Sequence, residues 1–294
     1  LYPFQQGSVE LMHLLDPTLP TNYAEGWHAF LATSHYRLPE TLKARMHSEI
    51  HETYTSGDAR IFLDKTPYWL LTSLASPRQD AFVRRENLSL MENEDTDTYA
   101  YTRSINERFH GTTVIEPGTY GYQQHLWYAA LDAQAILFVN HPGASSEGGD
   151  MRPGYWHGNG VMPAMRQTGN MLALIYRIPR EHPLHYIHLY APRCRFDELH
   201  DEGSWLFVRK DRGCAGFFST CPREKWTGLN ADCEERMVGD DIACLVVMGG
   251  REYENLKAFE EACLQLEVRY EGDTLTYGSE HLTYVQGQDD TQYL

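Results

Sequence analysis

The sequence predicts a mainly β protein: a large antiparallel β-sandwich, with a short helical segment before it and one short helix near the C-terminus. Short apolar runs recur from Ala59 onward, and Gly or Pro punctuates the gaps between them, which is typical of a large sandwich. Before Ala59 the apolar residues follow a helical period instead. A helical period returns from Leu256 to Leu266, where Phe259, Cys263 and Leu266 fall on the side that would face a sheet.

The composition indicates a folded, acidic protein. The 294 residues are 42% hydrophobic and can bury a large core. The 25 basic and 41 acidic residues give a formal net charge of −16, which argues against a nucleic-acid partner and against unaided attraction of a strongly sulfated polysaccharide. No run of about 18 apolar residues exists, so no membrane span is expected. The opening Leu1 to Gln6 has neither a signal-peptide pattern nor an initiating Met, so we expect an intracellular protein or one whose beginning has been removed.

Residues 1–57 are expected to form a helical segment, followed by a sandwich domain over residues 58–294. Asn22 followed by Glu25 is a capping-box pattern that begins one helix. A second helix is predicted to begin at Leu38, with Pro39 in its first turn, and to end near Ser56. Two such helices cannot bury both apolar faces alone, so they are expected to pack on a sheet or to close a helical array that continues upstream.

The strand predictions rest on aliphatic and aromatic runs that are bounded by turn residues. The predicted strands are Arg60 to Leu63, Tyr68 to Leu71, His125 to Leu131, Ala135 to Val139, Leu172 to Ile178, Leu184 to Tyr190, Trp205 to Arg209, Ala215 to Ser219, Arg236 to Val238, Ala243 to Met248, Glu267 to Tyr270, Thr274 to Tyr277 and His281 to Val285.

Arginines and cysteines give two further expectations. Residues 150–199 reverse the acidic balance, so an anionic substrate would bind there; their arginines are Arg152, Arg166, Arg177, Arg180, Arg193 and Arg195. The 6 cysteines are spread singly with no CxxC motif, which favours free buried thiols over a disulfide framework or a zinc ribbon.

The candidate functional residues gather in the central stretch, in a Gly-, Asn- and aromatic-rich loop and on the strands before it. They are Tyr120, Tyr122, Gln124, His125, His141, Arg152, Tyr155, Trp156, His157 and Asn159. Imidazoles suit zinc or proton transfer, aromatic faces stack on sugar rings, and an arginine can clamp a carboxylate. Each also has a structural interpretation: backbone-bonded histidines, core aromatics, a loop-bracing arginine, and an asparagine in a turn with positive φ.

Other motifs point to little chemistry. His182, His185 and His188 form an HxxHxxH string, but the period of two in a strand would place His185 on the opposite face from the other two. The sequence lacks a G-x-S-x-G elbow, a phosphate loop, a dinucleotide fingerprint and an HExxH motif. Serine hydrolysis and nucleotide chemistry are therefore not expected.

In this central stretch the chain resembles the β-sandwich half of heparinase II/III-like proteins. The resemblance rests on the order of three segments: YQQHLWYA from Tyr122, AILFVNHPG from Ala135, and an aromatic loop that ends in Gly169-Asn170 before an apolar strand. It covers roughly residues 58–285. The family joins an (α/α) toroid to a large antiparallel super-sandwich, so the resemblance implies that residues 1–57 end a toroid whose remainder lies upstream.

The resemblance also implies a zinc site. The family has a histidine at the position of His125, an aspartate at that of His141, and a His-Asn pair where this chain has Gly169-Asn170. Several members hold zinc with these three positions. In this chain His141 stands where the family has the aspartate, and Gly169 stands where the family has the second histidine. The expected metal ligands are therefore His125 and His141, and His157 is a candidate replacement for the histidine that is missing at Gly169.

The function implied by the resemblance is cleavage of a uronic-acid-containing polysaccharide or oligosaccharide by β-elimination. Arg152 would neutralise the uronate carboxylate, Tyr155 or His157 would transfer protons, and Asn159 would orient the sugar. The remaining expected substrate contacts are Trp156, Tyr122 and Gln124. Two alternatives stay open. One is a glycoside hydrolase of the same architecture, with its carboxylic groups among Glu116, Asp132, Glu147 and Asp150. The other is a non-catalytic glycan-binding or structural sandwich.

Overall fold

The computed structural model describes residues 39–56, 59–75, 112–115, 119–122, 127–132, 135–140, 163–180, 185–225 and 234–285. The chain divides into two compact units, residues 1–49 and residues 50–294. The second unit is mainly β and antiparallel, with one short helix near the C-terminus, as the sequence predicts. Among the described residues, no helix is long and apolar enough to cross a bilayer.

The described element of the first unit is helix α1, Glu40–His47. Pro39 stands at its N-cap, and Lys43 Nζ lies 2.8 Å from Glu40 Oε1, an ion pair across one turn. The helix ends at His47, because Ser48 is already extended. The predicted helix was therefore too long at its C-terminal end.

Residues Ile50–Ser56 form a strand, β1, where the sequence analysis expected the last turns of that helix. Thr53, Tyr54 and Thr55 are β-branched or aromatic and favour extended backbone, and the strand pairs with Ala59–Lys65 over its full length. The hydrogen bonds of this hairpin override a weak helical stripe. The two compact units divide between residues 49 and 50. The assignment of the preceding residues to a toroid stays a prediction.

The remaining described elements follow in chain order. They are β2 (Ala59–Lys65), β3 (Leu70–Ala75), β4 (Thr112–Ile115), β5 (Thr119–Tyr122), β6 (Trp127–Ala130), β7 (Ile136–Asn140), β8 (Ala164–Thr168), β9 (Met171–Arg177), β10 (Tyr186–Tyr190), a 3-10 turn (Arg193–Arg195), β11 (Glu198–Glu202), β12 (Trp205–Lys210), β13 (Gly213–Ser219), β14 (Arg223–Lys225), β15 (Glu234–Val238), β16 (Asp241–Gly249), α2 (Leu256–Leu264), β17 (Arg269–Glu271), β18 (Thr274–Tyr277) and β19 (Glu280–Thr283).

Two large antiparallel sheets make the sandwich. The eight-stranded sheet has the order β1-β2-β3-β6-β7-β10-β15-β14, and the six-stranded sheet has the order β11-β12-β13-β16-β9-β8. One buried cluster contains the inward side chains of both sheets, including Leu137 and Leu189 from the first and Leu174 and Phe217 from the second. The Tyr176 hydroxyl crosses between the sheets and donates to the Val139 carbonyl at 3.3 Å.

A third layer covers the other face of the six-stranded sheet. It consists of α2 and the three-stranded sheet β17-β18-β19. Phe259 and Cys263 of α2 pack with Phe207 and Leu245 in a second buried cluster. Because both faces of the six-stranded sheet are covered, β9 is an almost continuous apolar run without polar alternation.

Polar side chains close both open sides of the sandwich. Where β11 and β14 are the edge strands, Asp201 and Glu235 bind the guanidinium groups of Arg193 and Arg223. On the opposite side, Gln167 of β8 reaches across to β2 and β3. Hydrogen bonds and ion pairs therefore connect the two sheets at the open sides of the sandwich, beyond the apolar core.

Candidate functional site

Most residues nominated from the sequence lie outside the described residues. They are Gln124, His125, His141, Arg152, Tyr155, Trp156, His157 and Asn159, together with Glu116, Glu147 and Asp150. Tyr120 and Tyr122 lie on β5, which pairs with β4 so that Tyr122 is opposite Thr112. Asp132 accepts the Ala135 N–H at 2.7 Å and so stabilises the turn between β6 and β7.

The residues that flank the nominated loop lie at one end of the sandwich. Asn140, the last residue of β7, precedes it, and Ala164, the first residue of β8, follows it. Ala164 pairs with Ile175, whose neighbour Tyr176 contacts Val139 across the core. We call this the Asn140 end of the sandwich.

The third zinc position that the resemblance implies lies towards the other end. Asn170 donates from its side-chain amide to the Met248 carbonyl at 2.5 Å, and Gly250, two residues along, packs against Tyr68 in the turn between β2 and β3. Asn170 is also six strand residues from Tyr176, a separation of about 20 Å. Within the described ranges, no three His, Cys, Asp or Glu side chains lie close enough to share a metal ion.

The outer face of the eight-stranded sheet carries a row of aromatic and polar side chains at the Asn140 end. Leu137, Val139 and Leu189 point into the core, so the residues that alternate with them, Phe138 and Tyr190, point outward. These two rings stack with centroids 4.7 Å apart, and both are buried although neither belongs to either core cluster. Phe138 and Tyr190 therefore form an aromatic layer on the outer face, separate from the two core clusters.

A histidine, a tyrosine and an arginine lie beside this aromatic pair. His188 is the cross-strand partner of Asn140 on one side and of Arg236 on the other. The Tyr186 ring stacks on His188 at 5.1 Å, and Arg236 Cζ lies 3.9 Å from the centre of the Tyr186 ring, a cation–π contact. His188 is buried, whereas Tyr186 and Arg236 are half-buried.

We call Phe138, Tyr186, His188, Tyr190 and Arg236 the outer-face cluster. Its half-buried members, Tyr186 and Arg236, could contact a substrate: the guanidinium group could bind a carboxylate, and the phenol could exchange protons. Phe138, His188 and Tyr190 are buried and support these two from beneath. In the sequence, His188 stands out only as a member of the histidine string. One pattern in the sequence could have indicated the cluster: Tyr186, His188 and Tyr190 alternate with the aliphatic Ile187 and Leu189.

The histidine string shares no metal among its described members. His188 lies on the outer face, whereas His185 has the parity of the inward Ile187 and its Nδ1 lies 2.6 Å from Asp240 Oδ1. His185 lies just before β10, so its position on the opposite face stays a prediction. His182 lies outside the described residues.

The arginine-rich interval is neutralised by acidic residues from later in the chain. Arg177 pairs with Asp241 and Asp273, at 2.8 and 2.7 Å. Arg166 pairs in the same way with Glu280. The charge count along the sequence did not include these distant partners, and the expectation that an anionic substrate, if one binds, does so in this interval stays a prediction. Arg152 lies outside the described residues.

Arg193 binds both Asp201 and Glu235, and Glu235 is one of the few buried charged residues. Arg223 Nε also donates to Glu235 Oε2 at 3.1 Å, and its Nη2 donates to Asp201 Oδ1 at 2.8 Å. Burial by itself would raise the pKa of Asp201, but hydrogen bonds from the two arginines outweigh it and the pKa is lowered. A carboxyl group that stays ionised is unsuited to the acid role in glycoside hydrolysis.

The five described cysteines are free thiols; Cys214, Cys244 and Cys263 are buried as predicted, whereas Cys221 is half-buried and Cys194 is exposed. Burial raises the pKa of Cys214 to about 11 and also raises the pKa of Cys244 and Cys263. These thiols are therefore poor nucleophiles near neutral pH. Cys233 lies outside the described residues.

Comparisons with protein-family models, with curated proteins and with solved structures found no match to this chain.

Proposed function

We propose that this chain is the sandwich part of a carbohydrate-active enzyme that cleaves uronic-acid-containing polysaccharide by β-elimination. The observation that supports the proposal is the outer-face cluster, which places Arg236, Tyr186 and His188 on one face of the large sheet. His188 pairs with Asn140, and the segment that follows Asn140 in the chain contains Arg152, Tyr155 and His157.

β-Elimination has two chemical requirements. A cation or hydrogen-bond donors must neutralise the uronate carboxylate, so that the proton on the adjacent carbon becomes acidic. A base must then remove that proton, and an acid must protonate the leaving oxygen. Arg236 or Arg152 would bind the carboxylate, and Tyr155 or His157 would transfer the protons. A zinc ion at His125 and His141 stays part of the proposal.

The glycoside hydrolase alternative has less support. Hydrolysis needs one carboxylic acid and one carboxylate across the scissile bond. Asp201 and Glu235 are close to each other through shared arginines, but those arginines hold both in ion pairs. Asp132 stabilises a turn. The non-catalytic alternative, a glycan-binding sandwich, would use the same outer-face cluster without turnover.

The test measures product formation from polysaccharides of non-sulfated uronic acids. A lyase produces an unsaturated uronate that absorbs in the ultraviolet and a new reducing end, whereas a hydrolase produces the reducing end alone. We expect the ultraviolet signal, and we expect Arg236→Gln to lower kcat/KM by at least about tenfold, a loss in the range of one charge-assisted contact. Arg180→Gln, an exposed arginine near the same end, is the matched control and should change little.

The outcomes distinguish the three candidates. Reducing ends without ultraviolet absorbance would replace the lyase with a hydrolase. Binding that Arg236→Gln weakens, with no turnover on any of these glycans, would favour a binding module. Equal activity of Arg236→Gln and Arg180→Gln would remove the outer-face cluster from the site.

A further inference from the structure

We propose that His51 and Asp64 form a second reactive site, in which the His51 imidazole accepts an acyl group from small neutral aryl esters. This site lies on β1 and β2, at the opposite side of the eight-stranded sheet from β15, which carries Arg236. It does not depend on the β-elimination proposed above.

The pair has a fixed geometry. His51 and Asp64 are direct cross-strand partners, and His51 Nδ1 lies 2.6 Å from Asp64 Oδ1. An ionised carboxylate only accepts hydrogen bonds, so Nδ1 carries a proton, and in the neutral imidazole the lone pair is then on Nε2. The His51 side chain is 60% exposed, whereas Asp64 is only 14% exposed. The reactive nitrogen is therefore accessible to solvent while the carboxylate that orients it is largely dry.

The carboxylate is itself held from the other sheet. Gln167 Nε2 donates to Asp64 Oδ2 at 2.8 Å and to the Leu71 carbonyl at 3.2 Å. Gln167 Oε1 in turn accepts the hydroxyl of Ser73, which is fully buried, at 2.5 Å. A chain of hydrogen bonds that crosses the sandwich thus fixes the orientation of an exposed imidazole. An ordinary surface ion pair has no such support.

Two other described histidines pair with carboxylates and provide a comparison. His185 faces Asp240, which is 51% exposed. His200 has Glu260 at Nδ1 and Glu202 3.8 Å from Nε2, so a carboxylate faces each of its ring nitrogens. Among the described histidine–carboxylate pairs, His51 is the one with a dry carboxylate on Nδ1 and no carboxylate on Nε2.

The reaction is an acyl transfer. The Nε2 lone pair attacks the carbonyl carbon of a small aryl ester, an N–C bond forms, and the C–O bond to the aryl group's oxygen breaks with departure of a phenolate, whose low basicity lets it leave without a proton. The acyl-imidazolium keeps its Nδ1 proton, and Asp64 offsets its positive charge. Water then adds to the acyl carbon, the N–C bond breaks, and a carboxylic acid, neutral imidazole and one proton are released. A neutral ester fits this site because the chain is acidic, with a net charge of −16.

The experiment uses p-nitrophenyl acetate and the whole chain. We expect His51→Gln to lower the rate of p-nitrophenolate release by about tenfold or more, and Asp64→Asn to lower it comparably, because the tautomer is no longer fixed. His185→Gln removes a histidine from a similar pair and should leave the rate unchanged. Mass spectrometry of the rapidly quenched protein should locate the acetyl group on His51.

Two results would overturn the proposal: an unchanged rate in His51→Gln, or an acetyl group found mainly on another histidine. His51 is exposed, so His51→Gln should keep the unfolding midpoint of the parent protein. If Asp64→Asn fails to fold, the His51→Gln rate and the position of the adduct still decide the question.

Discussion

Gly213, the first residue of β13, shows how one position can constrain the fold. A Cβ atom there would lie 2.2 Å from the carbonyl oxygen of Tyr68 and 3.0 Å from Leu131 Cδ2. The oxygen belongs to the backbone of the turn between β2 and β3, so it cannot rotate away as a side chain would. The close approach of the two sheets at this point therefore requires glycine.

We predict that Gly213→Ala lowers the free energy of unfolding by about 3 kcal/mol, at the upper end of the usual cost of overpacking. Urea denaturation followed by circular dichroism measures the change. Gly169→Ala is the control: its φ is +54° and its Cβ would meet nothing within 4 Å. That variant should lose only about 1 kcal/mol, from the left-handed backbone. Equal losses in the two variants would contradict the close contact.

The outer-face cluster shows what residue-level sequence analysis missed. Tyr186, His188 and Arg236 come from two strands that are almost 50 positions apart in the chain, and only the register of β10 with β15 brings them together. The sequence analysis nominated central-loop residues because aromatic and imidazole side chains are dense there. Those nominations stay predictions, since apart from Tyr120 and Tyr122 they lie outside the described residues.

At the scale of elements, α2 is the clearest agreement between sequence and structure. It was predicted from Leu256 to Leu266 and is observed as Leu256–Leu264. Phe259 and Cys263 are buried against the six-stranded sheet, as their spacing indicated. Asn255 caps the helix, because its side-chain oxygen accepts the Ala258 N–H at 2.9 Å.

We predict that Asn255→Ala lowers the free energy of unfolding by about 1 kcal/mol, the usual cost of losing an N-cap. Asn255→Asp keeps an oxygen acceptor and should change stability by only a few tenths of that amount. Thermal or urea unfolding of the two variants beside the parent protein makes the comparison. A loss of the same size in both variants would show that the capping bond contributes nothing.

The disagreement at β1 has an equally local cause. Leu42 and Met46 fit a helical stripe that Ile50 extends, and no Gly or Pro interrupts the segment before Gly57. What ends the helix at His47 is the pairing of β1 with β2. The spacing of apolar residues carries no information about the backbone hydrogen bonds of a hairpin. Helix ends are therefore the least certain part of a prediction made from that spacing.

At the scale of the whole molecule, the ion network at the β11–β14 side joins the edges of the two large sheets. Asp201 belongs to β11, whereas Arg223 and Glu235 belong to β14 and β15 of the other sheet. The buried side chains of this network are those of Arg223 and Glu235, whereas the Asp201 side chain is 45% exposed. Removing Asp201 therefore costs less than removing a partner from a fully buried ion pair, because solvent screens its charge.

We predict a pH-dependent role for Asp201. Its pKa in the folded protein is lowered from the ordinary 3.8, so its contribution to stability is complete above that value and is lost as the pH falls through the lower folded pKa. Asp201→Asn should therefore be less stable than the parent protein at neutral pH, and the gap should narrow as the pH is taken below 3.8. Urea denaturation at several pH values measures the gap. A gap that is constant, or that widens in acid, would contradict the prediction.

The sequence by itself determined the fold class and the approximate positions of most described strands. It did so because alternation, apolar runs and turn residues are properties of neighbouring residues. It also determined that the described cysteines are free thiols, since single, widely spaced cysteines in a large acidic domain have little reason to pair.

Only the tertiary structure decided which charges meet. Arg177 looked available to an anion until the fold brought Asp241 and Asp273 to it, and His51 looked like part of a helix until β1 placed it opposite Asp64. Strand order and register set these contacts. They depend on the packing of the whole core, because a shift of one residue would turn every side chain of a strand to the other face.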